Sequence, residues 1–408
     1  MSGRPERSLA GDEDHVAGLV AGYREGHALA QDFYLSDAVF RRDVERVFMA
    51  QWHLAGHVSE IPQPGDYLLF ELLGESVIVV RDRDGAVHAL ANVCRHRGSR
   101  LCLEPRGNVR RFTCPYHAWV YNLDGGLFSA RLMGAETDKA TLGLKRLAIE
   151  LFQGLIYVSF ADRPESFAPA RRVLEPLVAP FDLARTRVAA RISYPVAANW
   201  KLLVENYNEC YHCTAAHPEF SRSHVIHLPD DIAGPLNRAI ADRAAATGAP
   251  ADTLDGTWPN KAAGEIDVYY RRYALFEGFR SGSEDGRPVA PLLGGLTGWD
   301  GGASDVYVGL LNPMLVYSDH AVIYRFIPVD KDTSIQDVIW LVREDAVEGR
   351  DYDRERLVWL WDVTTQSDKL IIEKNQEGIR SRYYEPGPFA PMESYTQWFV
   401  NCYLNLIG

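Results

Sequence analysis

Hydrophobic positions along the chain follow two periods. From Ser36 to Trp52 the apolar residues Phe40, Val44, Val47 and Phe48 recur at helical spacing, behind Ser36, which can cap a helix. Ile61-Pro62-Gln63-Pro64-Gly65-Asp66 then marks a turn. Beyond it, short alternating runs predict strands at 67–71, 75–81 and, after the Asp84-Gly85 turn, 87–92. Residues 155–160 read as the last strand of this group, and the Pro-bearing stretch 163–180 as a boundary. A strand at 188–194 opens the second half, and Asn199-Trp200-Lys201 starts a helix running towards His217-Pro218. Residues 228–300, rich in Gly, Pro, Ala and Asp, predict long loops and short helices. Strands return at 306–311, 314–317, 322–328 and 336–342, before a long helix from about 352 to 377 that Gly378 ends. Residues 1 to about 20 predict a loosely ordered arm. The pattern is α+β: a small antiparallel β-domain, then a larger domain whose sheet a long helix covers. It divides the chain into an arm and helix (1–44), a first domain (45–162) and a second (163–408).

Length and composition fit two soluble domains. The chain has 408 residues, 47% of them hydrophobic, and a net charge of −12 from 43 basic and 55 acidic groups. That balance argues against nucleic-acid binding, which needs a basic footprint. No run of about eighteen apolar residues predicts a membrane span, and Met1–Gly11 has no apolar signal segment, so a cytoplasmic protein is expected.

The first chemical signal is Cys94-Arg95-His96, seventeen residues, then Cys114-Pro115-Tyr116-His117. Thiolate and imidazole are the ligands that zinc and iron–sulfur clusters select. Two readings follow. A structural zinc takes Cys₂His₂ in a tetrahedron, usually with at least two residues between paired ligands. A Rieske [2Fe–2S] centre takes two cysteines on one iron and two histidines on the other. The single residue between Cys94 and His96 suits two loop tips gripping two irons, and suits a zinc finger badly. The other four cysteines (Cys102, Cys210, Cys213, Cys402) show no secreted-type disulfide pattern, and Cys210 and Cys213 are expected to pack.

The second signal is Glu205-Asn206-Tyr207-Asn208-Glu209-Cys210-Tyr211-His212, continuing to His217-Pro218. On an ideal helix, at about 100° per residue, Glu205, Glu209 and His212 share a face, while His217 lies about 140° from His212. The two histidines reach one ion only if the helix bends or ends between them. Taken alone, His-x₄-His reads as two histidines near a helix end. Two histidines and a carboxylate on one face of a metal are also the ligand set of non-haem Fe(II) oxygenases.

These two segments together resemble the catalytic α subunit of the Rieske non-haem iron oxygenases, over nearly the whole length from about Phe33. The flanks Arg95-His96-Arg97-Gly98 and Cys114-Pro115-Tyr116-His117-Ala118-Trp119 agree, with Ala118 standing where the family often has Gly. The resemblance implies a Rieske domain and a catalytic domain of helix-grip type. It implies Cys94, His96, Cys114 and His117 as [2Fe–2S] ligands, and His212, His217 and a late Asp as ligands of a mononuclear Fe(II). Thr364-Thr365-Gln366-Ser367-Asp368 resembles the segment that carries that Asp, so Asp368 is the assignment, with Asp362 and Glu373 as rivals.

It further implies head-to-tail homotrimers. In these a carboxylate at the position of Glu209 links His212 to His117 of the next subunit; many ring-hydroxylating members have Asp there. The chain shows no Gly-x-Gly-x-x-Gly fingerprint and no ferredoxin cysteine spacing, so NAD(P)H oxidation falls to a separate flavin/iron–sulfur reductase. Within the family, residues 199–213 and the segment Arg280–Pro288 with Leu292-Leu293-Gly294-Gly295 look most like the quaternary-ammonium branch. That branch includes glycine betaine, choline, carnitine and stachydrine monooxygenases. O₂ and a small-molecule cation are then the substrates, and oxidative N-demethylation releasing formaldehyde is the reaction. The alternatives are an aromatic-ring dioxygenase or O-demethylase and, outside enzymes, a Rieske electron carrier or redox sensor.

Aromatic faces bind such cations. Trp258, Tyr269, Tyr270, Tyr273, Phe276, Phe279 and Trp299 are pocket candidates, each taken singly more readily read as core or loop packing, and Arg271, Arg272 or Arg280 are candidates for a substrate carboxylate on the same footing.

Overall fold

A computed structural model describes residues 7–134, 136–251 and 264–408. The chain divides into two compact units, Trp52–Pro164 and a larger one formed by residues up to Gln51 together with Glu165–Gly408.

Among its described residues the smaller unit holds ten short strands in three antiparallel sheets. These are β1 (Trp52–His57), β2 (Asp66–Leu72), β3 (Glu75–Arg81), β4 (Val87–Ala91), β5 (Arg106–Asn108), β6 (Phe112–Thr113), β7 (Val120–Tyr121), β8 (Leu127–Ser129), β9 (Ala148–Phe152) and β10 (Leu155–Ser159). Their orders are β1-β10-β9, β4-β3-β2-β5 and β6-β7-β8. The core joins Tyr67, Ile78, Val80 and Leu90 to Cys94, Cys114, Trp119 and Tyr121, so both cysteines are built into the packed interior. Buried Asn92 fastens the intervening loop: its side chain accepts from the Leu101 and Cys102 amides, both at 2.9 Å, and donates to Cys102 O at 2.8 Å. A buried amide that satisfies three backbone groups fixes a loop that has no ladder of its own.

Among its described residues the larger unit has one six-stranded antiparallel sheet of order β11-β16-β15-β14-β13-β12. The strands are β11 (Thr186–Val196), β12 (Val268–Ala274), β13 (Gly302–Val308), β14 (Pro313–Val316), β15 (Ala321–Pro328) and β16 (Ser334–Arg343). The long helix Arg354–Ile379 lies against β11 and the sheet. Glu373 accepts from Ala197 N and Gln376 from Asn199 N, at 2.9 and 2.8 Å, and Trp361 meets Tyr324 edge-on. Among the described residues, no helix is long and apolar enough to cross a membrane.

The structure departs from expectation at several elements. Ser36 does cap, accepting from Ala38 N and Val39 N, but the helix it starts passes into a wider turn over Val44–Phe48. Residues Arg7–Ala21 form a helix instead of a loose arm. Strand β12 lies inside the stretch read as loops and short helices, and a C-terminal helix, Ser394–Ile407, was not foreseen. This helix packs Tyr403 on Phe33 and on Trp200, at the start of helix Trp200–Tyr207. The helix that begins after Asn199 stops at Tyr207 instead of reaching His217.

Candidate metal centres and cavity

Two turns of like geometry build the first centre. Cys94 N donates to Ser99 O and Gly98 N to Cys94 O, at 2.8 and 2.9 Å. In the second turn Cys114 N donates to Trp119 O and Ala118 N to Cys114 O, at 2.8 and 3.0 Å. Gly98 and Ala118 hold equivalent places, and both are left-handed, with φ of +80° and +55°. An alanine there carries a strain of about 1–2 kcal/mol that glycine escapes, so the Ala118 methyl sits at a strained position.

The imidazoles of His96 and His117 lie 4.5 Å apart, held by Trp119 stacked on His96 and Tyr116 against His117. The Nδ1 atoms of both are buried and have no hydrogen-bond partner. Two inward-facing imidazole nitrogens beside two buried thiols are a donor set that needs a metal group, since an orphaned buried acceptor is otherwise costly. Burial works to raise the Cys114 thiol, but the Tyr116 amide, Cys94, the His117 amide and Ser99 outweigh it and hold it below its ordinary value. A depressed thiol is the form a metal binds. Among the described residues, the only three metal-ligating groups whose atoms all lie within 4.8 Å of one another are elsewhere. A tetrahedral zinc would draw the Cys94, His96, Cys114 and His117 donors together on one point. Two thiols on one iron and two imidazoles on the other are the donor set of a Rieske [2Fe–2S] centre, and the four residues supply it.

Those three groups are His212, His217 and Asp368. Asp368 Oδ1 lies 2.7 Å from His217 Nε2 and 3.3 Å from His212 Nε2. The geometry depends on where helix Trp200–Tyr207 ends. Tyr307 OH donates to the Asn208 side chain, and Glu209 accepts from the Tyr211 and His212 amides, so the chain leaves the helix at Asn208. The short helix Cys213–Ala216 then has His212 at its start and His217 at its end, which turns both rings to one point. Glu205 lies inside helix Trp200–Tyr207 and Glu209 beyond its end. Glu205 accepts from Tyr34 OH at 3.0 Å, and burial pushes its carboxyl up to about 8. The bend also brings Cys210 and Cys213 together in a disulfide, a correction to their expected packing as thiols.

Glu209 bonds His212 Nδ1, which leaves Nε2 facing Asp368. Burial alone would lower the His212 imidazole, but Asp368 and Glu209 push it up to about 9. Burial works to raise Asp368, and hydrogen bonds from His212 and His217 hold it below the usual carboxylate range. A site that draws protons this strongly suits a cation, and two imidazoles with one carboxylate suit non-haem iron. The rivals are occupied elsewhere: Asp362 accepts from Tyr194 OH and Gln366, and Glu373 from Ala197 N and Lys369.

The triad closes one side of a cavity of about 110 Å³. Of the candidates Tyr269 and Tyr273 line it, joined by Tyr207, Tyr307, Tyr324 and Trp361, which the sequence reading missed. Strand alternation points to Tyr307 and Tyr324 once β13 and β15 are in place. Tyr270 faces away, bonded to Ser304; Phe276, Phe279 and Trp299 lie off the cavity, and Trp258 is outside the described residues. The segment Arg280–Pro288 also lies off the cavity. Ser281 and the Val289 amide both bond Asp319, and Gly282 lies so close to Tyr317 that a Cβ would fall 2.4 Å from its ring.

Comparison with known proteins agrees with this geometry. Residues 183–408 match the family profile of the ring hydroxylating alpha subunit (catalytic domain), and residues 51–141 that of the Rieske [2Fe-2S] domain. The chain is 37% identical to the glycine betaine monooxygenase oxygenase subunit of Chromohalobacter salexigens, over 94% of this chain and 86% of that one. It is 31% identical to the carnitine monooxygenase oxygenase subunit of Escherichia coli K12, over 88% and 86%. Its fold matches a quaternary ammonium Rieske monooxygenase solved for insight into carnitine oxidation and inter-subunit electron transfer, with a TM-score of 0.71 at 23% identity over 97% of this chain and 98% of that one.

Proposed function

Because this chain belongs to the Rieske non-haem iron oxygenases, as a catalytic α subunit, we propose that it oxidises an N-methyl group of a betaine-like quaternary ammonium compound. The observation that carries this reading is the aromatic cavity that ends on the His212–His217–Asp368 triad. Tyrosine and tryptophan faces attract an onium cation and leave its methyl groups as the part able to approach the triad. Identity to glycine betaine and carnitine monooxygenase subunits along most of the chain supports the same class.

In this proposal Cys94, His96, Cys114 and His117 hold the [2Fe–2S] cluster, and His212, His217 and Asp368 hold the mononuclear iron. When bound, the cluster supplies single electrons and the iron supplies the place where O₂ is activated. The residues do the rest. Glu209 keeps the His212 proton on Nδ1, leaving Nε2 free to bind metal. The tyrosines exclude bulk water and position the methyl. The balance is one methyl group, one O₂, two electrons and two protons, giving a hydroxymethyl ammonium and water. Its C–N bond then breaks, releasing formaldehyde, a proton and the demethylated amine. The electrons come from NAD(P)H through a separate flavin/iron–sulfur reductase. In a homotrimer Glu209 links His212 to His117 of the next subunit, a role supported by its bond to His212.

The experiment supplies purified holoenzyme with NADH and a generic reductase, and follows O₂ uptake and product over a panel of betaines and aromatic acids. Formaldehyde from a betaine, matched one to one with O₂ consumed, is the expected result. A hydroxylated ring product, or formaldehyde only from a methoxy-aromatic, overturns the reading in favour of ring hydroxylation or O-demethylation.

A further inference from the structure

Cys210 and Cys213 carry chemistry that the demethylation reaction leaves unused. They are joined in a disulfide, and both line the cavity that ends on the triad, while Cys102 and Cys402 do not. Cys213 Sγ lies 4.0 Å from His212 Nε2, the nitrogen that faces Asp368. Among the described residues, the other sulfur on this wall is the Met392 thioether.

Two observations separate this bridge from a structural staple. It spans a sequence separation of 3, so it closes a very short loop. A cross-link there constrains the unfolded chain least. The bend also has supports of its own. Cys213 N donates to Cys210 O at 3.3 Å, Ala215 N and Ala216 N to His212 O at 3.0 Å, and His217 N to Cys213 O at 2.9 Å. Ser221 Oγ donates to Cys213 O at 2.8 Å, and Glu209 holds the Tyr211 and His212 amides. These bonds fix both histidines through the backbone, so the bridge can open to two thiols with the triad in place.

The oxidant comes from the triad's own chemistry. Without substrate to oxidise, O₂ that takes up two electrons and two protons leaves as hydrogen peroxide. Peroxide released in this cavity meets imidazoles, tyrosines, a thioether and, when the bridge is open, two thiols. A thiolate attacks it to give a sulfenic acid and water, and a neighbouring thiol then displaces a second water to close a disulfide. In sum, two thiols and one peroxide give one disulfide and two waters. A thioether stops at the sulfoxide and has no partner to resolve it. A disulfide is returned to thiols by exchange with a dithiol, which leaves as a disulfide itself.

We propose that Cys210 and Cys213 form a reversible peroxide sink: Cys213, beside the triad, takes the peroxide, Cys210 resolves it, and a small dithiol reductant resets the pair. The bridge seen here is the oxidised state. This rests on O₂ activation at the triad, and not on which substrate is demethylated.

The test takes reduced holoenzyme, freed of reductant and substrate, and adds hydrogen peroxide up to one equivalent per chain. Peptide mapping without reduction should show the Cys210–Cys213 bridge forming in proportion to peroxide, with Met392, Cys102 and Cys402 unchanged. Dithiothreitol should return both thiols, and iron content should be the same in both states. Cys210→Ser should hold Cys213 as a sulfenic acid that dimedone traps. Under repeated peroxide additions, Cys213→Ser should lose mononuclear iron several-fold faster than wild type, each measured against its own untreated iron content. Wild-type protein that forms no bridge, whose bridge resists dithiothreitol, or that loses iron as the bridge forms overturns the inference, and needs no variant to fold. So does peroxide spent on Met392 with both thiols intact. A second arm supplies NADH, reductase and O₂ without substrate or added peroxide, and the bridge should form as O₂ is taken up. O₂ uptake with both thiols intact overturns the sink and leaves the oxygenase reading standing. A bridge formed by added peroxide, with no O₂ uptake in the presence or absence of a betaine or an aromatic acid, overturns that reading and the sink with it.

Discussion

Glu209 shows how one side chain can set the state of another. One oxygen bonds His212 Nδ1 and the other accepts from the Tyr211 and His212 amides, so the carboxylate fixes both the ring and the backbone that carries it. Outer partners of this kind set the tautomer of a metal-binding histidine, and their loss typically costs about 10–100-fold in affinity or activity. A carboxylate that also conducts between subunits costs more when neutralised. Glu209→Gln keeps the shape and a hydrogen-bonding oxygen, so iron content and the reduced-cluster EPR signal should be unchanged. Turnover should fall by about 100-fold or more, and oxidation of the reduced cluster by substrate and O₂ should slow in parallel. Turnover within threefold of wild type would reduce Glu209 to a structural prop.

At the scale of elements, the helix Trp200–Tyr207 is too short to be stable by itself, and it depends on buried polar anchors. Asn199 caps it, accepting from Lys201 N. Lys201 and Asp43 form a fully buried ion pair, and Asp43 also accepts from Trp200 Nε1 at 3.0 Å and Tyr403 OH at 2.7 Å. Burial works against charge on both partners and each only partly offsets it for the other, so the Asp43 carboxyl stays above and the Lys201 amine below its ordinary value. Removing one member of such a pair leaves an uncompensated charge and costs about 3–5 kcal/mol, whereas replacing both by apolar groups is often near neutral. Lys201→Met should therefore lower unfolding stability in urea by about that amount, and Lys201→Met with Asp43→Leu should recover most of it. A single variant within about 1 kcal/mol of wild type would show that the pair adds no stability. The beginning of this helix was readable in the sequence from Asn199, but its end was not. Side-chain bonds to local backbone compete with helix: Glu209 takes the Tyr211 and His212 amides that would have continued it, while Tyr307, about a hundred residues on, holds the Asn208 side chain. Strand β12 was hidden for a related reason. Its residues Val268 to Ala274 are almost all buried, so Tyr-Tyr-Arg-Arg-Tyr shows no polar face to alternate with. Strands such as β3 and β16, with runs of Val, Ile and Leu between turn residues, were legible in place.

For the whole molecule, each candidate centre takes its ligands from one unit. Cys94, His96, Cys114 and His117 lie in Trp52–Pro164, and His212, His217 and Asp368 lie in the other. The first set could be read from spacing because both pairs are local turns. The third ligand of the second set could not, since 151 residues separate Asp368 from His217 and only the folded sheet and long helix bring them to 2.7 Å. Because each unit has its own packed interior, the two centres should be separable. Asp368→Ala removes the carboxylate that both Nε2 atoms meet, so the mononuclear iron should be lost and total iron should fall from about three to about two per chain. The visible and EPR signature of the reduced cluster should stay, because no cluster ligand or core residue of its unit is touched. Product formation should disappear while the cluster still accepts an electron from the reductase. If the variant keeps its full iron, Asp368 is not a ligand, and the site is a hydrogen-bonded pair of histidines whose metal lies elsewhere. If it loses the cluster signal as well, the units are not independent, and the second centre stabilises the first.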